Sequence, residues 1–283
     1  MNYLLFNPKA RNGKTAEDLA LIHKALQSQQ IREYNLANYS DYGEILKYIR
    51  PDDTVYLVGG DGTLNHFINE LNKFDMICDI YFYSAGTGND FKRDVDPDNH
   101  VYRVKINKYI KNLPNVEIEN RTYKFINGVG YGIDGYACVE GDNVREKTKR
   151  NIKYSKMVLK GMFGRYKSCS GSVTVDGITH KYKKIWFAST MFGRFYGGGV
   201  RVAPKQSRFN VDHTLTCVVL HDVSRLGLFF KYPKIIKGKH SKCTDCFDFF
   251  VGHKFEVEFD KARPIQIDGE AFENISKYTA EYN

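Results

Sequence analysis

The sequence predicts a mixed α/β protein: a doubly wound parallel sheet in the N-terminal 120 or so residues, then an antiparallel β domain. Three observations carry this. Apolar runs alternate with helical patterns from residue 1 to about 121, the order that a parallel sheet with helical crossovers requires. Three polar, glycine-bearing segments each follow an apolar run, at 7–14, 59–62 and 84–90, where ligands bind outside the carboxyl ends of parallel strands. Beyond 121 apolar residues alternate with period two, as in Val173 and Val175 or Phe255, Val257 and Phe259, the signature of strands with one covered face.

The elements follow in order. YLLFN (3–7) is the first strand, and a helix over 15–29 puts Leu19, Ile22, His23 and Leu26 on one face. A strand at 31–35 and a helix at 42–49 precede the strand at 54–58. VYLVGGDGTLNHFINEL (55–71) reads as strand, tight turn and helix, because Leu64, Phe67, Ile68 and Leu71 recur at helical spacing. DIYFYSAG (79–86) is another strand ending in glycine. In the second half a basic helix over 145–163 is followed by strand-rich segments at 170–192, 214–223 and 253–272, with turns rich in Gly, Asp and Asn.

Composition narrows the function classes. With 42% hydrophobic and 14% aromatic residues, each domain can bury a core. No run approaches the roughly 18 apolar residues that cross a bilayer, and MNYLLFNPKA lacks a basic leader, so a soluble, cytoplasmic protein is expected. The six cysteines are scattered and are expected as free thiols. CTDC (243–246) has metal-ligand spacing, but no second pair completes a tetrahedral set. The formal charge of +9 points to anionic partners. REKTKRNIKYSKMVLKGMF (145–163) carries seven Lys or Arg beside Ile152, Met157, Val158 and Phe163, which suits either an anionic bilayer surface or a helix packed on its own domain. No nucleic-acid recognition motif accompanies the charge.

The turn GGDG has its own chemistry. Three glycines in four residues permit unusual backbone angles and close approach of a ligand to main-chain N–H groups, and the helix start favours an anion. A carboxylate there, Asp61, fits if a divalent cation or a reacting hydroxyl lies between it and a phosphate. The plainer reading is a glycine-rich connection with Asp61 as a helix cap.

Six segments, NPKARNGK (7–14), GGDGTLNHFIN (59–69), SAGTGNDFKRD (84–94), FINGVGYGIDGYA (125–137), YGGGVRVAP (196–204) and IQIDGEAF (265–272), together resemble the diacylglycerol kinase and sphingosine kinase catalytic-domain family, in its bacterial lipid kinase branch. The resemblance spans nearly the whole chain. It implies a phosphofructokinase- and NAD kinase-like nucleotide domain over 1–121, a lipid-holding β-sandwich over 122–272, and a tail, 273–283, that returns to the first domain. By resemblance, Asn7, Pro8, Lys9, Ala10 and Arg11 form a first nucleotide-contacting loop. Gly59, Gly60, Asp61, Gly62, Thr63, Leu64 and Asn65 receive the phosphates of ATP, and Thr87 lies beside the nucleotide. Asn89 and Asp90 line the cleft near the transferred phosphate, Glu270 matches the general base, and Asp61 shares the catalytic work. Asp268 orients Glu270 or binds metal, with an ordinary DG turn as the plain alternative.

The residues agree with phosphoryl transfer, which asks for positioning and charge cancellation by turn amides, Mg²⁺ and cations, plus a proton acceptor for an alcohol. Departures stand beside the matches. The family's first loop commonly reads NPxSG, where this chain has Ala10 and Arg11, and its GGDGTLN is commonly followed by Glu, where this chain has His66. After Pro204 many members carry a pair of aspartates before glycine that organise a structural Mg²⁺. Here Asp212 alone matches, with His213 in place of the glycine. The resemblance thus implies an ATP- and Mg²⁺-dependent kinase of diacylglycerol or a related lipid, peripheral to the inner face of an anionic membrane; a homodimer is left open. The alternatives are a kinase of a soluble acceptor and a non-catalytic lipid or nucleotide sensor.

Overall fold

In the computed structural model, which describes residues 1–8, 15–26, 30–74, 78–86, 88–98, 103–148, 154–164 and 166–283, the N-terminal apolar runs become a five-stranded sheet. Its strands are β1 (Asn2–Phe6), β2 (Ile31–Asn35), β3 (Thr54–Gly59), β4 (Asp79–Ser84) and β5 (Val104–Lys105), in the order β2-β1-β3-β4-β5. The first four pair in parallel and β5 closes one edge antiparallel to β4. Between them run α1 (Thr15–Ala25), α2 (Gly43–Leu46), α3 (Asp61–Leu71), α4 (Asp90–Val95) and α5 (Asn107–Ile110). Alternate β-strand side chains meet α1 in one apolar cluster, with Leu4, Tyr56 and Val58 packed on Ile22 and Leu26. Of the predicted α1 face, Ile22 and Leu26 are buried while His23 reaches out to Glu33 at 3.1 Å.

These elements form one unit, Met1–Asn112, and the rest a second, Leu113–Asn283. The division falls before the compositional boundary at 121, because β6 (Asn115–Ile118) and β7 (Arg121–Lys124) make a hairpin in the second sheet. That sheet has the order β12-β11-β10-β8-β13-β14-β6-β7. It contains β8 (Gly128–Gly132), β9 (Cys169–Val175), β10 (Ile178–Met191), β11 (Leu215–His221), β12 (Phe247–Gly252), β13 (Lys254–Ile267) and β14 (Glu270–Glu281). Both β10 and β13 are long and irregular in register, and each pairs with β8 over one stretch and with β9 over another. Such shifts bend a strand enough to serve two layers, as a sandwich needs. The tail, within β14, pairs with β13 and, through Thr279–Glu281, with β6, inside the second unit.

The helix expected over 145–163 is two: α6 (Ile133–Thr148) and α7 (Tyr154–Phe163), with 149–153 outside the described residues. A further helix, α8 (Arg225–Ile236), lies between β11 and β12. Ile133, Met162, Trp186, Leu228, Ile235 and Phe247 share the core that these helices cover. The six cysteines are free and buried, and no helix among the described residues is long and apolar enough to cross a membrane.

Candidate functional site

In the first unit the described residues that follow β1, β3 and β4 stand together. The Asn7 backbone N–H donates to the Val58 carbonyl at 3.0 Å, and its side-chain amide donates to Thr63 Oγ1 at 3.0 Å. The Ala85 N–H donates to the Gly59 carbonyl at 2.8 Å. Where the second and third loops touch, a Cβ on Gly86 would lie 2.8 Å from the Gly60 Cα, so the contact is closed to any side chain.

Glycine serves here through close approach. The turn glycines 59, 60 and 62 are absent from the positive-φ residues, contrary to the expectation of unusual backbone angles. Among the described residues of these loops the left-handed one is Asn89, at φ 53° and ψ 43°, a conformation that asparagine tolerates better than most side chains. It leads directly into α4. Both oxygens of Asp61 accept from that helix's first amides, Oδ2 from Asp90 N–H at 2.9 Å and Oδ1 from Phe91 N–H at 3.0 Å. Asp61 therefore caps α4, while sitting in the first turn of α3.

What remains free in this unit is chemically specific. A Cβ on Gly62 would meet nothing within 4 Å, so the start of α3 is open to an anion. Ser84 Oγ and Asn89 Oδ1 are buried without a hydrogen-bond partner, a state that costs stability unless a ligand supplies one. Asp90 is buried, as are Thr63, Leu64 and Asn65, whose backbone carbonyl and side-chain oxygen accept from Asn69. His66 meets the Tyr42 ring edge-on at 4.4 Å. Pro8 follows β1, whereas Lys9, Ala10, Arg11 and Thr87 lie outside the described residues.

The second unit holds Asp268 and Glu270. Asp268 and Gly269, both at positive φ, form the two-residue hairpin turn between β13 and β14, in which such angles match the strand twist. The buried Asp268 carboxylate accepts the backbone N–H groups of Ile126, Asn127 and Gly128 at 2.6, 2.7 and 2.9 Å. It is thus both turn residue and clamp. Arg208, also buried, donates to the Ile126 carbonyl and to Asn127 Oδ1, gripping the same segment. Gln266 accepts from the Gly269 N–H at 2.7 Å, while its Nε2 is buried and unpartnered. Glu270, the first residue of β14, is exposed.

Beside this hairpin Asp134 is buried at the start of α6 and accepts from Ser189 Oγ at 2.7 Å. Burial pushes its carboxyl up to about 6, partly countered by hydrogen bonds from Ser189 and Tyr196. Asp134, Gln266 and Arg208 escaped the sequence reading; Asp134 and Gln266 lie within quoted motifs, but Arg208 carries no local signal. A recess of 380 Å³ is lined by Tyr136, Tyr166, Lys167, Lys261 and Arg263, among others.

Asp212 lies in the hydrogen-bonded loop before β11. It is exposed, and the described residues contain no group of three His, Cys, Asp or Glu placed to hold a metal. Two carbonyls of its loop are engaged: Gln206 Nε2 and Asn210 Nδ2 both donate to Thr214 O at 2.9 Å, and Asn210 Nδ2 donates to Ser207 O at 2.6 Å. Neutral amides thus hold two of the carbonyls in the loop that carries Asp212.

Comparison with known proteins agrees along the chain. The diacylglycerol kinase catalytic domain model matches residues 2–120, and the YegS C-terminal NAD kinase beta sandwich-like domain model matches 127–280. A Bacillus subtilis (strain 168) protein named "Putative lipid kinase YtlR" is 22% identical over 291 residues, covering 95% of this chain and 92% of its own. A Staphylococcus aureus (strain Mu3) protein named "Putative lipid kinase" is 22% identical over 271 residues, covering 91% and 84%. A Bacillus anthracis structure titled as a diacylglycerol kinase shares the fold, with TM-score 0.65 and 20% identity, over 100% of this chain and 96% of its own.

Proposed function

The chain belongs to the family that joins a diacylglycerol kinase catalytic domain to a YegS-type C-terminal β-sandwich, and on that premise we propose that it transfers the γ-phosphate of ATP to a hydroxyl of diacylglycerol or a related membrane lipid. The observation that carries the reading is the open start of α3 beside the buried, unpartnered oxygens of Ser84 and Asn89. Turn amides at 60–63 suit phosphate oxygens, and the two free oxygens suit a phosphate-bound Mg²⁺ or a nucleotide hydroxyl. Mg²⁺ brought by ATP would neutralise charge on the phosphates.

In the transfer, the lipid hydroxyl oxygen bonds to the γ-phosphorus as the bond to the bridging oxygen of ADP breaks. The hydroxyl proton passes to the exposed Glu270 carboxylate. Asp61 holds the start of α4 in place, and Asp268 fixes the hairpin from which Glu270 projects.

The test incubates the protein with labelled ATP, Mg²⁺ and diacylglycerol, monoacylglycerol, phosphatidylglycerol and sphingoid bases in detergent micelles. Transfer to one lipid, lowered about 10²–10⁴-fold by Glu270→Gln with ATP binding retained, is the expected result. Absence of transfer to every lipid, with ATP still bound, rejects it. The mixed cationic and aromatic lining of the 380 Å³ recess favours one second reading, a soluble anionic acceptor, so NAD and small phosphorylated alcohols belong in the same panel.

A further inference from the structure

Helix α8 is apolar on both sides. Leu228 and Ile235 face the core beside Met162 and Trp186. On the outer side Leu226, Phe229, Phe230 and Ile236 are exposed, at 64%, 45%, 69% and 40%, with Pro233 between them. Their spacing of three and four places them on one helical face. Phe163, at the end of α7 and 57% exposed, extends it, its ring 5.4 Å from that of Phe229. A contiguous aromatic face of this kind is unusual on a soluble surface.

The platform is firmly held. Ser224 Oγ accepts from the Gly227 N–H at 3.0 Å and caps α8. Arg225 donates to the carbonyls of Met162 and Tyr166, tying the start of α8 to the end of α7. The exposed rings are therefore displayed by two braced helices.

Charge selects the occupant. From Arg225 to Lys242 the chain carries six Lys or Arg and no Asp or Glu. Lys234, Lys237, Lys239 and Lys242 are exposed. Lys231 pairs with Asp245 at 2.7 Å, and on α7 Lys160 pairs with Glu140 at 2.7 Å, while Lys156 is exposed. A protein partner would call for acidic groups matched to these lysines one by one; an anionic bilayer offers a diffuse negative surface over an apolar interior, to which aromatic rings and flanking lysines are both suited.

We propose that the outer face of α8, with Phe163 of α7, is the surface by which this protein docks on an anionic membrane. The rings enter the headgroup boundary and the lysines rest on lipid phosphates. The proposal deepens the lipid-kinase reading, which requires the protein to reach a bilayer, but binding is measured without ATP and stands apart from turnover.

The experiment is co-sedimentation of the full chain with vesicles of phosphatidylglycerol and phosphatidylcholine, compared with vesicles of phosphatidylcholine alone. Expected are binding to the anionic vesicles that weakens with salt, and at least a tenfold loss of partitioning for Phe229→Ser/Phe230→Ser and separately for Lys234→Glu/Lys237→Glu. Circular dichroism and Tm verify folding, and the charge variant, altering only exposed lysines, keeps the test open should the aromatic variant unfold. Turnover of a monomeric short-chain lipid should be unchanged in both variants while turnover on vesicles falls. Equal vesicle binding by folded variants and wild type overturns the surface, even if lipid turnover is normal. Equal binding to neutral and anionic vesicles also overturns it, as does a lipid-free dimer that Phe230→Ser dissociates. Loss of binding in the variants, with no lipid phosphorylated by the wild type, would sustain the surface and reject the kinase reading.

Discussion

The Asp61 carboxylate accepts the backbone N–H groups of Asp90 and Phe91 at 2.9 and 3.0 Å, so the acid of the GGDG turn caps a helix 29 residues further on. This joins two loops that phosphoryl transfer would need in fixed register. Asp61→Ala removes the acceptor for both amides and should lower stability by about 1–2 kcal/mol, the scale of a lost N-cap. ATP affinity should fall with it, because Asn89 and Asp90 lose their anchor. Urea titration and nucleotide binding on the same variant check both; wild-type stability with lost turnover would mean that Asp61 acts on substrate alone.

Asp268 and Glu270 stand two residues apart and should respond oppositely. Asp268 satisfies three backbone donors in a buried setting, so Asp268→Ala is expected to cost roughly 3 kcal/mol or more, given about 1–3 for each unsatisfied buried group and partial relaxation. Glu270 is exposed. Its change to Gln should move stability by no more than about 0.5 kcal/mol while turnover collapses. Thermal unfolding of the two variants side by side separates the clamp from the proposed base.

The loop before β11 should be indifferent to metal. Gln206 and Asn210 side chains hold Ser207 and Thr214 carbonyls, and Thr216 Oγ1 donates to Gln206 Oε1 at 2.6 Å. Chelation with EDTA in the absence of nucleotide should therefore leave Tm unchanged, and Asp212→Asn should do the same. Asn210→Ala, which strips four hydrogen bonds from the loop, should cost about 1–3 kcal/mol. A Tm raised by Mg²⁺ alone would contradict this.

How far the sequence could be read follows from the range of each interaction. β1, β3, β4 and the helix after β3 were legible because apolar run, glycine and helical period are local signals. The partner of Asp61 was not, since nothing within its turn points 29 residues ahead. Helix α6 begins at Ile133, ahead of the helix expected from 145, in a stretch where Gly135 and Gly141 lower the local helix propensity. Yet a Cβ on Gly135 would lie 2.2 Å from the Pro264 carbonyl oxygen, so that glycine is what lets α6 pack on β13. The hairpin at 115–124 joined the second unit through pairing of β6 with β14, 160 or so residues away. Helix α8 escaped notice for the same kind of reason: Gly227 and Pro233 mask its period, and its support comes from Arg225 bonds to residues about 60 positions earlier.

The buried Asp134 makes stability depend on pH in the direction opposite to an ordinary paired carboxylate. Its folded-state value, about 6, lies above the roughly 3.9 of an unfolded aspartate. The folded protein therefore holds the proton more tightly. Below about pH 4 both states are protonated and the group imposes no penalty. As pH rises through the window from about 4 to 6, the unfolded state ionises first and draws the equilibrium towards itself. Above 6 the penalty is complete, about 3 kcal/mol at 1.36 per pH unit. Asp134→Asn abolishes that charge while an amide oxygen can still accept from Ser189, so the variant should gain stability relative to wild type as pH increases from 4 to 6 and then hold a constant advantage. Denaturant titrations at pH 4, 5, 6 and 7 on both proteins measure the difference; a difference that does not change across the window would show that Asp134 stays ionised in the folded protein.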